Sequence, residues 1–231
     1  MRALAIDTST STVRVAIATG EGFAKSDESR PDAADNQPSK NLLSMINRLL
    51  GEMGLSLDMV DVFAVSAGPG SFTGLRVGVG AALGLSAAMG KPVVGVETLT
   101  SIAMTQSAAD VGRCVVCPIL SARRGEVYTA FFKMRDGVME RVSEDMALAP
   151  EKLAEMIAEP VRFVGGGFAA NAEVFTERLK TPYTAIGSPL RNTAEVVAEL
   201  ALAGRAVIAP VSLRYVRASQ AELNWEILHA I

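Results

Sequence analysis

Few side chains in this sequence are of a type that does chemistry, and their spacing closes off most of it. Cys114 and Cys117 form a C-x-x-C pair followed by Pro118, the spacing of a redox disulfide or half a zinc site. The pair lies in the apolar run 114–120, where a strand is expected, and strand positions three apart point to opposite faces. Two buried structural thiols are therefore expected. Zinc needs further ligands, and the chain has a single histidine, His229, third from the end. Ser71, in Gly68-Pro69-Gly70-Ser71-Phe72-Thr73-Gly74, departs from the G-x-S-x-G nucleophile elbow, and no histidine is at hand to activate it. The same loop has parts of an anion cradle. The apolar run 62–65 leads through glycines to Ser71, a natural N-cap, beyond which free N–H groups begin a helix. A Walker loop it is not, since Leu75-Arg76 stands where Lys-Ser/Thr should follow the last glycine.

The helix that follows reads to about Met89 and carries two rows of small residues at four-residue spacing. One row is Gly74, Gly78, Ala82 and Ser86; the other is Gly80, Gly84 and Ala88. Each interior glycine lowers helix stability by about 1 kcal/mol relative to alanine, so a closely approaching neighbour is the expected compensation. One row can pack on the helix's own sheet. Two rows on different faces imply a second neighbour, either another chain or the interior of the same subunit. A membrane span is not expected, because the apolar run is short and glycine-broken.

Composition sets the frame for these elements. The 231 residues suit one large domain or two of about a hundred each. Half the chain is hydrophobic (49%) but only 5% is aromatic, so the core must be built from Val, Leu, Ala and Gly. A net charge of −3 argues against the chain alone gripping a phosphate backbone. Asp7 interrupts the first apolar run, so no secretory leader is expected and the protein reads as cytoplasmic.

Taken in order, the first half predicts strands at 3–6 and 13–17 and a third after Gly20-Glu21-Gly22. A loop at 30–37 and an amphipathic helix at 38–53 follow, then a strand at 62–65, the glycine-rich helix, a strand at 93–96 and a helix at 98–107. The second half repeats that order. Strands are expected at 115–120, 126–133 and 138–142, with Asp136-Gly137 as the hairpin turn, then a helix at 150–157 and a strand at 161–164. A short helix near Asn171, a strand at 183–186 and a helix at 193–203 complete it, with Asn192 and Glu195 as a capping box. This is an α/β chain with a duplicated βββαβαβα unit, pointing to the two-lobed architecture shared by actin, sugar kinases and heat-shock ATPases. The expected division is a first lobe at 1–108, a second at 109–204 and a tail at 205–231.

The blocks MRALAIDTST, GPGSFTGLRVG, KPVVGVETL and SARRGEVY resemble the bacterial TsaB family, non-catalytic partners in making threonylcarbamoyladenosine on transfer RNA. The resemblance implies the two-lobed fold, self-association through first-lobe helices, and pairing with the catalytic TsaD-type subunit, joined by a TsaE-type ATPase. It implies tRNA contact only within that complex; from the residues themselves, no cofactor and no membrane are expected. It places the partner surface on the small-residue helix, at Gly74, Arg76, Gly78, Ala82, Leu85 and Ser86. In the catalytic relatives the stretch matching KPVVGVETL continues with two metal-binding histidines four residues apart. Thr98 and Ile102 stand at those positions here, and neither replaces an imidazole.

Parts of a nucleotide cleft are also expected by resemblance to the superfold. Asp7 sits where a carboxylate lies near Mg²⁺, Gly165, Gly166 and Gly167 match an adenosine-binding turn, and 121–125 takes the place of a second phosphate loop, with Arg123 and Arg124 but no carboxylate. Asp7 capping its own turn is the plainer reading. Arg76 can meet an acidic partner or pair within its own surface. Arg214, Tyr215 and Arg217 form a basic, aromatic-containing stretch, read as a solvated tail or an RNA contact, and 222–231 as a short, loosely docked helix. The alternative functions are an independent small ATPase or sugar-kinase-like enzyme and, less favoured, a peptidase.

Overall fold

The computed structural model describes residues 1–22, 24–29, 38–205 and 207–216. The expected loop at 30–37, Arg217, the segment 222–231 and His229 lie outside the described residues. The first sheet begins with β1 (Arg2–Asp7), β2 (Val13–Thr19) and β3 (Ala24–Ser29), an antiparallel meander. Helix α1 (Pro38–Glu52) leads to β4 (Val62–Gly68), α2 (Phe72–Met89) and β5 (Val93–Glu97). β4 runs parallel to β1, and β5 parallel to β4.

Alternation along these strands sorts side chains by size. Leu4, Ile6, Val13, Val15, Ile17, Phe63 and Val65 meet the apolar sides of α1 and α2. Ala3, Ala5, Ala16, Ala18 and Ala64 make the other face a shallow floor. A shallow floor lets a helix lie close, and the helix that fills it comes from the far end of the chain.

Short helices α3 (Thr98–Ala103) and α4 (Ala108–Val111) precede the second sheet. The single helix expected at 98–107 breaks because Ser107 starts α4 with a capping box to Asp110. The second sheet opens with β6 (Val115–Ser121). The strand expected at 126–133 is split into β7 (Val127–Thr129) and β8 (Phe132–Arg135); the strand expected at 138–142 is β9 (Val138–Arg141), and β10 (Met146–Leu148) is a further strand not expected from the sequence. β7 pairs the outer half of β6 and also β10, whereas β8 pairs β6 at Val116 and also β9. The broken strand thus does the work of one, and Asp136 and Gly137 form the expected turn at φ 50° and 77°. Then follow α5 (Pro150–Met156), β11 (Val161–Val164), α6 (Ala172–Arg178) and β12 (Tyr183–Ile186), with β11 parallel to β6 and β12 parallel to β11. Both halves carry the strand order 3-2-1-4-5, the duplicated two-lobed fold.

Helix α7 (Thr193–Ala203) covers the alanine floor of the first sheet, through Ala194, Val196, Val197 and Leu200. Chain order had grouped it with the second lobe. In the other direction, Leu99, Ile102 and Ala103 of α3 pack with Val116, Leu120 and Phe132 of the second sheet. The tail adds β13 (Val207–Ile208), antiparallel to β5. Asn192 caps α7 through the Ala194 N–H, but Glu195 takes a hydrogen bond from Ser26 Oγ at 2.5 Å, so no reciprocal box forms.

Helix α2 is long and apolar enough to cross a membrane by length and composition alone. Here Leu75, Gly78, Val79 and Ala82 seat it against its own sheet. A Cβ on Gly74 would lie 2.1 Å from the Thr8 carbonyl oxygen, and one on Gly78 2.2 Å from Thr8 Oγ1. The row Gly74, Gly78, Ala82 therefore faces inward and is not free for a partner. Half-buried Leu85 also packs on the core, and Ser86 Oγ donates to the Lys91 carbonyl at 2.6 Å. A Cβ on Gly80 or Gly84 meets nothing within 4 Å among the described residues. Gly78→Ala is expected to lower stability by about 1–3 kcal/mol through overpacking. Gly80→Ala and Gly84→Ala are each expected to raise it by about 1 kcal/mol. Urea denaturation of the three variants checks the division between faces.

Candidate functional site

A cleft of about 940 Å³ opens between the lobes. Its lining includes the turn after β1 (Asp7, Ser9 and Thr10), the start of α2, the 121–124 turn, Gly165–Gly167 and Thr193. The glycine loop shapes one wall. The Ser71 N–H donates to the Ser9 carbonyl at 2.7 Å, and Thr8 Oγ1 donates to the Gly74 carbonyl at 2.8 Å. Ser71 caps α2, accepting the Gly74 N–H at 3.2 Å. A Cβ on Gly70 would meet the Ser9 carbonyl oxygen at 2.4 Å. These glycines serve chain-to-chain contact with the β1 turn.

Asp7 is buried, and its carboxylate is engaged within the protein. Oδ1 accepts the Ser9 N–H at 3.0 Å and the Ser9 hydroxyl at 2.6 Å, and Oδ2 accepts the Thr193 hydroxyl. The turn-capping reading of Asp7 therefore describes its geometry, with α7 held at the same point. On the second lobe, Gly165 and Gly167 are small because a Cβ on either would press on Ile119 or Leu120 backbone, at 2.6 and 2.8 Å. A Cβ on Gly166 would meet nothing within 4 Å among the described residues. Sequence motifs brought Asp7 and these glycines to one cleft, but the first two roles are internal packing.

The surprise is the tail. Arg214, read from the sequence as part of a solvated tail or an RNA contact, is an ion-pair partner of Glu97 at the end of β5, and its backbone N–H donates to the Ala67 carbonyl at 2.8 Å. Glu97 also accepts from Arg141 Nη2 at 2.8 Å and Thr100 Oγ1 at 2.9 Å. Arg141 belongs to β9 and bonds Asp145 at 2.6 Å as well. One half-buried carboxylate thus ties first sheet, second sheet and tail together, with charge-assisted bonds. Tyr215 lies 5.5 Å from Phe72, and Arg76 Nε donates to its hydroxyl at 3.2 Å. Neither this brace nor the split between helix faces had a local signal, because each joins residues far apart in sequence.

Thr98 and Ile102 sit in α3, fully and nearly fully buried, and Thr98 Oγ1 has no hydrogen-bond partner among the described residues. No group of three or more metal-ligating side chains occurs among the described residues. Cys117 is buried beside Thr129, with sulfur and hydroxyl 3.0 Å apart, whereas Cys114 is half-buried just before β6. Burial pushes the Cys117 thiol up from 9.0 to about 12.

Comparison with known proteins agrees with this architecture. The family described as "TsaD: tRNA N6-adenosine threonylcarbamoyltransferase" matches residues 25–225. A Haemophilus influenzae protein named "tRNA threonylcarbamoyladenosine biosynthesis protein TsaB" is 34% identical over 190 residues, 76% of this chain and 75% of the relative. The chain belongs to the TsaB family. The solved structure "YeaZ from Pseudomonas aeruginosa" superposes with TM-score 0.74 at 30% identity, over 93% of this chain and all of that one (100%). A "tRNA N6-adenosine threonylcarbamoyltransferase" from Solidesulfovibrio magneticus is 34% identical over 121 residues, 51% of this chain and 32% of the relative. That transferase is thus matched over about half of this chain and a third of its own length.

Two outcomes test the site's construction. Glu97→Ala is expected to cost about 1–3 kcal/mol, since Arg214 loses its carboxylate while Arg141 keeps only that of Asp145, and to expose the chain after Arg214 to trypsin; equal cleavage rates in both proteins contradict the brace. For Cys117, the unfolded thiol ionises above pH 9.0 while the folded one stays protonated to about 12. The unfolded state binds fewer protons in that window, so this thiol's contribution lowers stability by roughly 1.4 kcal/mol per pH unit. Comparing wild type with Cys117→Ala by denaturation at pH 8 and 10.5 isolates it.

Proposed function

We propose that this TsaB-family chain is a non-catalytic subunit in the biosynthesis of threonylcarbamoyladenosine in tRNA, pairing with a TsaD-type transferase. The observation that carries the non-catalytic part is the donor set on α3. Thr98 and Ile102 occupy the positions where the resemblance puts the transferase's metal-binding histidines, and Ile102 belongs to the apolar core. Asp7, already accepting three hydrogen bonds, is poorly placed to hold a Mg²⁺-bound nucleotide, which counts against the independent-ATPase reading.

Pairing is assigned to the outward face of α2. Gly80, Leu83, Gly84 and Ala87 recur on that exposed side, with Leu83 45% exposed, and Leu43 of the neighbouring α1 is 56% exposed. Two glycines on an outward helix face let another backbone approach closely, a gain that offsets their helix cost. Among the residues first expected there, Arg76 is exposed, while Gly74, Gly78 and Ala82 point inward. In isolation the same face joins two copies, and in the cytoplasm it takes the TsaD-type subunit. A TsaE-type ATPase joins that pair, and tRNA is met only in the complex.

Leu83→Asp and Gly84→Arg are expected to leave the circular dichroism spectrum and melting temperature near wild type. Both should abolish co-purification with the TsaD-type subunit and the restoration of modification activity on mixing. Retained pairing in both variants would refute this face.

A further inference from the structure

The cleft mouth holds an aromatic side chain that its role as a tail anchor leaves unexplained. The tail is already fastened by Arg214 on Glu97 and by Val211 and Leu213 against the first core. Tyr215 is nevertheless 42% exposed. It is also held fast: Phe72 flanks its ring at 5.5 Å, and Arg76, whose guanidinium lies 3.8 Å over the Phe72 ring, donates to its hydroxyl. A ring kept in water yet immobilised is a pre-organised stacking surface, because little rotamer freedom remains to be lost on binding.

Charge points the same way. Across the cleft, Arg123 is exposed on the 123–125 turn and has no side-chain hydrogen bond or ion pair among the described residues. Among the described residues lining the cleft, Asp7 is the sole carboxylate, and it is turned to Ser9 and Thr193. The mouth therefore presents Arg123, the Tyr215-bonded Arg76 and an aromatic face within a chain of net charge −3. Fixed rings beside arginines are what unpaired bases and their phosphates bind, with little dependence on base identity. A base paired in a duplex has no free face to offer such a ring. The cleft, about 940 Å³, is also at the upper end of small-molecule sites, which run to about 1,000 Å³.

We propose that this mouth binds a single-stranded RNA segment, one base stacking on Tyr215 and flanking phosphates meeting Arg76 and Arg123. The proposal rests on the tRNA-modification reading and adds where this subunit touches the RNA. Arg76 lies on the exposed side of α2, so the RNA site adjoins the face assigned to the partner.

The test uses the full chain co-purified with its TsaD-type subunit, titrated against a fluorescent single-stranded RNA heptamer and followed by anisotropy. A duplex of the same sequence and ATP alone serve as further probes. Expected are binding of the single strand over the duplex, a loss of at least about fivefold in Tyr215→Leu, and retention in Tyr215→Phe, which keeps the ring. Arg123→Glu, on an exposed turn, is expected to weaken binding and flatten its salt dependence. Melting temperatures identify any variant that fails to fold, and Arg123→Glu keeps the test decisive if Tyr215→Leu does so. No binding of the single strand, or unchanged affinity in folded Tyr215→Leu and Arg123→Glu, overturns the proposal. ATP binding with the same dependence on Tyr215 overturns it in favour of a free-nucleotide site. Intact co-purification in those cases leaves the pairing reading standing; failure to co-purify at all counts against that reading instead.

Discussion

Backbone lies on backbone where α2 begins, and much of the molecule is arranged around that contact. Gly70, Gly74 and Gly78 each face Thr8 or Ser9 at a distance that leaves no room for a methyl group. The Ser71 N–H and the Gly74 carbonyl are satisfied by that same turn. Holding the turn in this way also sets Asp7, whose carboxylate is drawn to the Ser9 and Thr193 hydroxyls. The start of α7 is thereby fixed to the end of β1. A carboxylate held by protein donors has few lone pairs to offer a cation, so the packing that stabilises this lobe also changes what its cleft can bind.

The seat has a second consequence on the opposite face of the helix. Glycines lower helical propensity, and α2 persists because burial of Leu75 and packing of Val79 and Ala82 in the first core outweigh that loss. Gly80 and Gly84 receive no such return from the described residues, none of which lies within 4 Å of where their side chains would be. An outward face that is both flat and apolar fits a protein whose relatives belong to a multi-protein modification pathway.

The two lobes are bound by exchange as well as by contact. α3 contributes to the core of the second sheet, and α7 to that of the first. Glu97 sits where these paths cross and gathers Arg141 from one lobe and Arg214 from the tail. With several partners sharing one carboxylate, the arrangement resists hinge motion more than an isolated surface pair would. The tail is consequently part of the cleft wall, and its aromatic ring stands at the entrance.

Most elements were legible in the sequence because their signals are local. Short apolar runs marked β1, β4 and β5, alternation marked β2, helical spacing marked α1 and α2, and Asp136-Gly137 marked its turn. The single histidine and the identities of Thr98 and Ile102 are likewise plain in the sequence. Spacing also grouped the glycines of α2 into two rows, but it could not say which row met Thr8 and which met solvent, because periodicity defines a face and not its neighbour. The placement of α7 on the far sheet and the docking of Arg214 and Tyr215 were decided by tertiary structure for the same reason. Each depends on a surface made by residues distant in the chain, such as the alanine floor or the carboxylate of Glu97, and such surfaces exist only once the chain has folded.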